Sequence, residues 1–375
     1  MPRISEGIDG GELVLRVFVG EKPEKVGADE ARPPPSRGSA WWHGSHVAKL
    51  LELWAWYALS VRVLVLGATS LVGSHFVAAT EGVGLVAAGR RDPRDIDILV
   101  HEFRKADLGQ QEEVRILLEE ADCDAVVNFV ARTDVDGCEA ERPEDPSSPA
   151  HPSGGHSAWS LNAELPRWLA EEAAASGRYL VHLSTDFVFD GTRGPYDESE
   201  EPDPFGPKVS WYGYTKGVGE RAVRTHAPRS SAIVRISYPY RSAYPQKLDF
   251  ARTLLARAKG GTLYPLYLDQ VITPTWIPDV TQALPLLLTK RATGTFHIAS
   301  PLATTPYAFA VTLLALAGLP TKQIRSSLLA EQPPSVRAPR PLQGGLKIGG
   351  VRLLGLEPTP FEEGIRTLLH ERAAE

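Results

Sequence analysis

Tyr212 and Lys216 stand four residues apart, downstream of a β-type run at 179–183 that ends in Ser184, Thr185 and Asp186. On a helix that spacing puts both side chains on one face. An ammonium beside a phenol favours the phenolate and lowers the tyrosine pKa from its ordinary value near about 10. Such a tyrosine can exchange a proton with an alcohol or a ketone. A hydroxyl at the strand end, Thr185, can hydrogen-bond the same oxygen and steady its developing charge. Tyr214 is the rival tyrosine, but Val218 follows it where a lysine would be needed, so its plainer role is packing or a substrate wall. Tyr-x-x-x-Lys by itself is common by chance. It gains meaning from the motifs that precede it.

The first of these is Gly67-Ala68-Thr69-Ser70-Leu71-Val72-Gly73, which directly follows the apolar run 61–66 and opens a helical pattern. That is the context a dinucleotide-binding turn requires. Gly67 permits the tight turn and Gly73 lets the helix pack close to the strand. Ser70, Leu71 and Val72 then present backbone N–H groups to a pyrophosphate. Ser70 stands where a glycine is usual, which narrows the approach without closing it. The second strand ends at Gly89-Arg90-Arg91, where an acidic residue would mark a ribose 2′-hydroxyl. Guanidinium groups suit a 2′-phosphate instead. The prediction is NADP(H), with NAD(H) as the alternative. The competing reading makes Arg90 and Arg91 a solvated strand end, partly neutralised by Asp92.

These motifs need a scaffold. Strand patterns at 61–66, 84–88, 125–129, 179–183, 232–236 and 294–299 alternate with helical ones at 111–120, 165–175, 249–258, 277–289, 306–316 and 361–371. Such alternation implies right-handed crossovers and an α/β doubly wound parallel sheet of the Rossmann kind. The organisation expected is an N-terminal extension at 1–59, an NADP-binding domain at 60–236 that carries the catalytic residues, and a substrate-binding domain at 237–375 partly interleaved with the sheet. The extension holds a Pro-rich piece at 32–36, expected to be disordered, and a Trp-bearing piece at 47–59, expected to be a short helix. The latter is either a docking element or an extension without catalytic part. Residues 141–155 read as an inserted surface loop.

The bulk composition excludes several classes. The net charge of −6 gives no positive field for nucleic acid or an anionic membrane. Residues 1–20 lack the basic start and apolar core of a secretory signal. The apolar stretch 47–66 is broken by Lys49, Glu52 and Arg62, so no membrane span is expected. Two cysteines, Cys123 and Cys138, form no disulfide framework, and a reducing cytoplasm fits them. No His or Cys cluster has ligand spacing, so no metal is expected. His182 and His297 fall in strand patterns and read as packed core residues.

From about residue 61 to 369 the chain resembles dTDP-4-dehydrorhamnose reductase, within the extended short-chain dehydrogenase/reductases. The motifs that carry this are Val126-Val127-Asn128, Ser184-Thr185-Asp186-Phe187-Val188-Phe189-Asp190-Gly191, Pro195-Tyr196, Tyr212-Gly213-Tyr214-Thr215-Lys216, Gly219-Glu220, Asp269-Gln270, Thr273-Pro274-Thr275 and Arg340-Pro341-Leu342. The resemblance implies a triad of Thr185, Tyr212 and Lys216. Tyr212 would protonate the C4 oxygen as hydride arrives, Lys216 would bind the nicotinamide ribose, and Thr185 would hydrogen-bond the ketone. It also implies adenine contacts from Asp107 and Leu108, a cofactor-side loop at Ala131, and substrate contacts from Thr133, Asp186, Phe187 and Tyr238. The plainer reading of Asp107 is a helix N-cap. The implied partner is a nucleotide sugar, and a homodimer is compatible with the family.

Tyr238 stands where the family usually has Trp, and Ile272 where it usually has Gly, so the particular sugar is open. A 4,6-dehydratase would need Glu after Asp186, and Phe187 stands there. A 4-epimerase shares the Tyr and Lys. The family also resembles the non-catalytic β subunit of methionine adenosyltransferase, a regulatory NADP-binding protein.

Overall fold

The computed structural model describes residues 3–9, 12–18, 61–80, 84–100, 102–146, 155–202, 208–332 and 337–374. The chain forms two units, Met1–Val47 and Ala48–Glu375. In the first, β1 (Arg3–Asp9) pairs antiparallel with β2 (Glu12–Phe18), Asp9 opposite Glu12. This hairpin falls in a stretch expected to be disordered or helical. The Gly10-Gly11 pair followed by the β-prone run Leu13-Val14-Leu15-Arg16-Val17 is a hairpin signal that the Pro-rich segment overshadows. The Pro-rich piece and the Trp-bearing piece, expected to be a short helix, lie outside the described residues.

The second unit is built on a sheet of seven parallel strands. In chain order its first half comprises β3 (Val63–Leu66), α1 (Gly73–Ala79), β4 (Leu85–Gly89), β5 (Glu102–Lys105), α2 (Gln111–Glu120), β6 (Ala125–Asn128) and α3 (Val135–Glu139). A π-helical turn (Ser160–Glu164) leads into α4 (Leu165–Ser176). Then come β7 (Tyr179–Thr185), α5 (Trp211–His226) and β8 (Ser231–Ile236). The remainder comprises α6 (Phe250–Lys259), β9 (Leu266–Tyr267), α7 (Ile277–Lys290), β10 (Gly294–His297), α8 (Pro306–Leu316), β11 (Ser326–Ser327), α9 (Gly350–Leu353) and α10 (Phe361–Ala374). The sheet order is β10-β8-β7-β6-β3-β4-β5.

Every residue of β3 is buried, as are those of β6 and β8, because helices cover both faces. Successive side chains of β3 enter opposite layers. Val63 and Val65 pack with Phe76 of α1 and Leu284 of α7. Leu64 and Leu66 pack with Leu117 of α2, Leu169 of α4 and Val223 of α5. Each such fully buried side chain contributes roughly 1.5–3 kcal/mol. A third cluster joins α6, α8 and α10 around Tyr240, Trp276 and Phe309. β10 and α7 pack with the sheet although they follow residue 237 in sequence.

Caps place the helices. Asp249 accepts the Arg252 N–H at 3.0 Å and Thr305 that of Ala308 at 3.1 Å, so the acidic residue expected to begin α6 is its cap. The strand order reverses direction between β6 and β3, and ligands of open α/β sheets bind outside such a switch point. Among the described residues no helix is long and apolar enough to cross a membrane.

Candidate active site

The glycine turn lies at the end of β3, beside the switch point. Gly67 has φ +81°, and a side chain on Gly73 would put its Cβ 2.3 Å from the Gly67 carbonyl oxygen. Both positions therefore demand glycine, as the motif predicts. Ser70, at the atypical position, accepts the Gly73 N–H at 3.0 Å with its hydroxyl and so stiffens the turn. Leu71 is half-buried and Val72 buried. A later segment packs onto this turn: Arg241 donates to the Leu71 carbonyl at 2.9 Å, and the Tyr244 hydroxyl donates to that of Thr69.

Arg90 and Arg91 stand exposed beyond β4. Arg90 Nη1 lies 3.1 Å from His156 Nδ1, and His156 Nε2 lies 2.8 Å from Asp107 Oδ1. Asp107 also accepts the Gly109 N–H at 3.0 Å. The cap of α2 is Gln110, so Asp107 is no helix cap; it closes a tight turn and faces His156. Leu108 is buried. Ala131 and Thr133 follow β6, the first half-buried and the second exposed. The glycine turn, the arginine pair and the loop after β6 thus share the carboxyl edge of neighbouring strands.

Thr185 ends β7, and Tyr212 lies in the first turn of α5, whose cap Ser210 accepts the Gly213 N–H at 3.1 Å. The Thr185 hydroxyl lies close enough to Tyr212 to act on its phenol, and it donates to Asp186 Oδ1 at 3.3 Å. The spacing predicts an ammonium that lowers the phenol. In the structure burial prevails: it pushes the Tyr212 hydroxyl well above its ordinary range, against the effect of the Thr185 hydroxyl and with the help of the nearby Asp186. Lys216, 1% exposed, turns its Nζ to the Leu183 carbonyl at 2.6 Å and to His182 Nε2 at 3.3 Å. Loss of hydration brings Lys216 down to about 8, opposed by the charge of Glu220. The strand carbonyl and the imidazole are the partners that a helix-spacing argument cannot see.

Asp186 is buried rather than open to a cavity. It accepts the Ser237 hydroxyl at 2.7 Å, and burial raises it to about 6 against the hydrogen bonds of Ser237, Gly345 and Thr185. Phe187 meets Tyr212 edge-on, ring centres 5.8 Å apart, and tilts against Tyr238 at 6.3 Å. Tyr238 has φ +43°, a conformation rare for a bulky residue. Its hydroxyl donates to Gln270 at 3.1 Å.

Tyr238 also lines a cavity of about 330 Å³ with Phe250, Tyr264, Tyr267, Arg257, Arg337 and Arg340. Arg340 donates to Asp136 at 2.9 Å, and the Arg257 guanidinium lies over the Tyr264 ring at 5.2 Å. Of the predicted site residues Tyr238 alone lines this cavity; Thr133, Asp186 and Phe187 do not. Sequence reasoning singled out Arg340 within its motif but missed Arg257, Arg337, Tyr264 and Tyr267, which come from three separate segments without a shared pattern. Among the described residues no group of His, Cys, Asp and Glu is arranged to hold a metal ion. His182 and His297 are both fully buried.

Fold and constellation together define a member of the extended short-chain dehydrogenase/reductase superfamily, an NAD(P)-dependent oxidoreductase by class. The chain belongs to the RmlD substrate-binding domain family, whose model matches residues 61–374. It is 33% identical over 310 residues to a probable low-salt glycan biosynthesis reductase, Agl14, of Haloferax volcanii, covering 81% of this chain and 96% of that one. It is 30% identical over 321 residues to methionine adenosyltransferase 2 subunit beta of Mus musculus, covering 83% and 87%. Among solved structures, dTDP-4-dehydrorhamnose reductase from Bacillus anthracis in complex with NADP superposes with a TM-score of 0.65 at 24% identity, over 83% of this chain and 99% of that one.

Proposed function

We propose that this chain reduces the 4-keto group of a nucleotide-activated deoxysugar with NADPH. The observation that carries the reading is the meeting of Thr185, at the carboxyl end of β7, with Tyr212 in the first turn of α5, near a cavity lined by guanidinium groups and aromatic rings. The tight turn of Gly67, Ser70, Leu71, Val72 and Gly73 fits a pyrophosphate, and the exposed Arg90 and Arg91 fit a 2′-phosphate. Asp107 and Leu108 would face the adenine, and Ala131 the nicotinamide side. NADPH, when bound, supplies the hydride.

This chain's own residues do the rest. Tyr212 donates its phenolic proton to the ketone oxygen. Its raised pKa keeps it protonated at neutral pH, the state required of an acid. Thr185 donates a hydrogen bond to the same oxygen and lowers the energy of its growing charge. Arg257, Arg337 and Arg340 suit a diphosphate, and Tyr264 and Tyr267 suit the flat or apolar faces of base and sugar. Phe187 and Tyr238 form an aromatic wall beside the phenol. Asp186 acts from behind Thr185, and Thr133 would meet the substrate from the loop after β6.

The test is NADPH oxidation with a panel of nucleotide-linked 4-keto sugars. Wild type is expected to turn over at least one, and Tyr212→Phe to lose about 10²–10⁴-fold in rate with its fold intact. Both proteins binding NADPH and neither consuming it would overturn the reading. A second reading, a non-catalytic NADP-binding regulatory subunit, draws support from the similarity to the mouse methionine adenosyltransferase subunit. That outcome is the one it expects.

A further inference from the structure

Arg90 and Arg91 each have a side-chain partner, and neither partner is a carboxylate. Arg91 Nη1 donates to Gln246 Oε1 at 3.0 Å, and Arg90 Nη1 lies 3.1 Å from His156 Nδ1. Asp92, the neighbour that could neutralise them, is taken by Arg94, whose Nε donates to its Oδ1 at 3.0 Å. Among the described residues neither arginine forms an ion pair, so both keep their charge for a ligand.

The His156 ring is held in one tautomer. Its Nε2 lies 2.8 Å from Asp107 Oδ1. Against its burial, the Gly109 N–H and His156 hold the Asp107 carboxyl below the usual carboxylate range, so it is ionised. An ionised carboxylate only accepts hydrogen bonds and a guanidinium only donates them. The ring between them satisfies both when it is neutral, with its proton on Nε2 and the Nδ1 lone pair on Arg90. A doubly protonated ring would set a donor against a donor. Asp107 thus aims the lone pair at the arginine while its own oxygen stays on the far side of the ring.

The backbone fixes the ring in turn. Gly155 has φ +65°, and its carbonyl oxygen presses on the turn that Asp107 closes: a Cβ on Gly109 would come within 2.0 Å of it. The Ser160 hydroxyl donates to the same carbonyl at 2.8 Å. His156 directly follows the stretch 141–155 that reads as an insertion. The grip on Arg90 therefore comes from outside the glycine turn and the strand end that carries the arginine.

We propose that His156, oriented by Asp107, is a positioning residue that holds the Arg90 guanidinium ready for the 2′-phosphate of NADP(H) and so sets the preference for the phosphorylated cofactor. The role rests on the reading of Arg90 as a phosphate ligand. A free arginine gives up rotamer freedom when it binds an anion. One already held has given it up before the ligand arrives. A carboxylate would order Arg90 as well, but it would cancel the charge that the phosphate needs; an imidazole lone pair does not.

The experiment measures binding of NADP⁺ and NAD⁺, which differ only in the 2′-phosphate, to the full-length protein by calorimetry without sugar. Wild type should prefer NADP⁺, and Arg90→Ala should lose most of that preference. His156→Ala should weaken NADP⁺ by about three- to tenfold and leave NAD⁺ within about twofold. In the Arg90→Ala background His156→Ala should cost NADP⁺ nothing further, because His156 acts through that arginine. Equal losses for both cofactors would make His156 a structural prop of the adenine side and overturn the proposal. A loss that persists without Arg90 would mean that the ring meets the phosphate itself, and would overturn it too. Preference lost in Arg90→Ala but intact in His156→Ala would sink the role of His156 and spare the reading of Arg90. Absence of sugar reduction beside the expected binding pattern would sink the proposed reaction and leave His156 in its role.

Discussion

Helix α5 carries two buried charges one turn apart, and they are treated differently. Glu220, 0% exposed, accepts from both Arg235 and Arg224, and the guanidinium charges outweigh its burial and bring it down to about 2. Lys216, 1% exposed, has a carbonyl and an imidazole for company and is brought down to about 8. The first carboxylate is held firmly charged; the lysine is held near the point of losing its charge. A charge with permanent ionic partners braces the fold, whereas one left short of partners is available for chemistry.

The comparison can be broken first at the brace. Arg235→Ala strips Glu220 of its bidentate partner in a dry site and is expected to cost about 3–5 kcal/mol in urea unfolding. A loss below about 1 kcal/mol would mean that Arg224 alone suffices. Next is acid. A folded pKa below the unfolded 4.5 gives stability that is present above 4.5 and lost as pH falls towards about 2. Glu220 should account for at most about 3 kcal/mol of it. Unfolding followed from pH 5 to 2 should flatten in Glu220→Gln, after allowance for its lower starting stability; an unaltered slope would assign the acid transition elsewhere.

Asp186 sharpens the contrast by running the other way. Its folded pKa, about 6, exceeds the ordinary 3.8. The native state therefore holds the proton more tightly, and stability falls as pH rises from about 3.8 through 6, by up to about 3 kcal/mol. Asp186→Asn should remove that slope, and its persistence would place the titrating group elsewhere. The smallest stability effect is expected at Lys216. Lys216→Met removes a desolvated amine that has no ionic partner, so unfolding should move by less than about 1 kcal/mol. NADPH oxidation should fall by about 100-fold or more in the same variant. A large loss of stability there would show Lys216 to be a brace like Glu220.

Much of this scaffold is readable from local pattern. The helices 111–120 and 306–316 occupy the expected residues, because their apolar spacing and flanking breakers coincide. β5 was not expected: Glu102, Phe103, Arg104 and Lys105 form a polar edge strand whose partner, β4, supplies what its own sequence lacks. The π-helical turn 160–164, four of its five residues buried, was likewise not expected. At the site, the order of glycine turn, strand-end hydroxyl and Tyr-x-x-x-Lys singles out Thr185, Tyr212 and Lys216. Which way Lys216 points depends on a carbonyl in another element, at Leu183, and no spacing encodes that. Arg257 and Arg337 are invisible for the same reason, since they meet Arg340 only after folding.

Tyr238 has a consequence of its own. A tyrosine held at φ +43° carries a backbone torsion penalty of about 1–3 kcal/mol that glycine would escape. Tyr238→Gly therefore returns to the main chain part of what is lost in packing, an exchange that Phe187 does not offer. Of the two rings packed here, Phe187 and Tyr238, residue 238 is therefore the one where glycine meets an offsetting backbone gain.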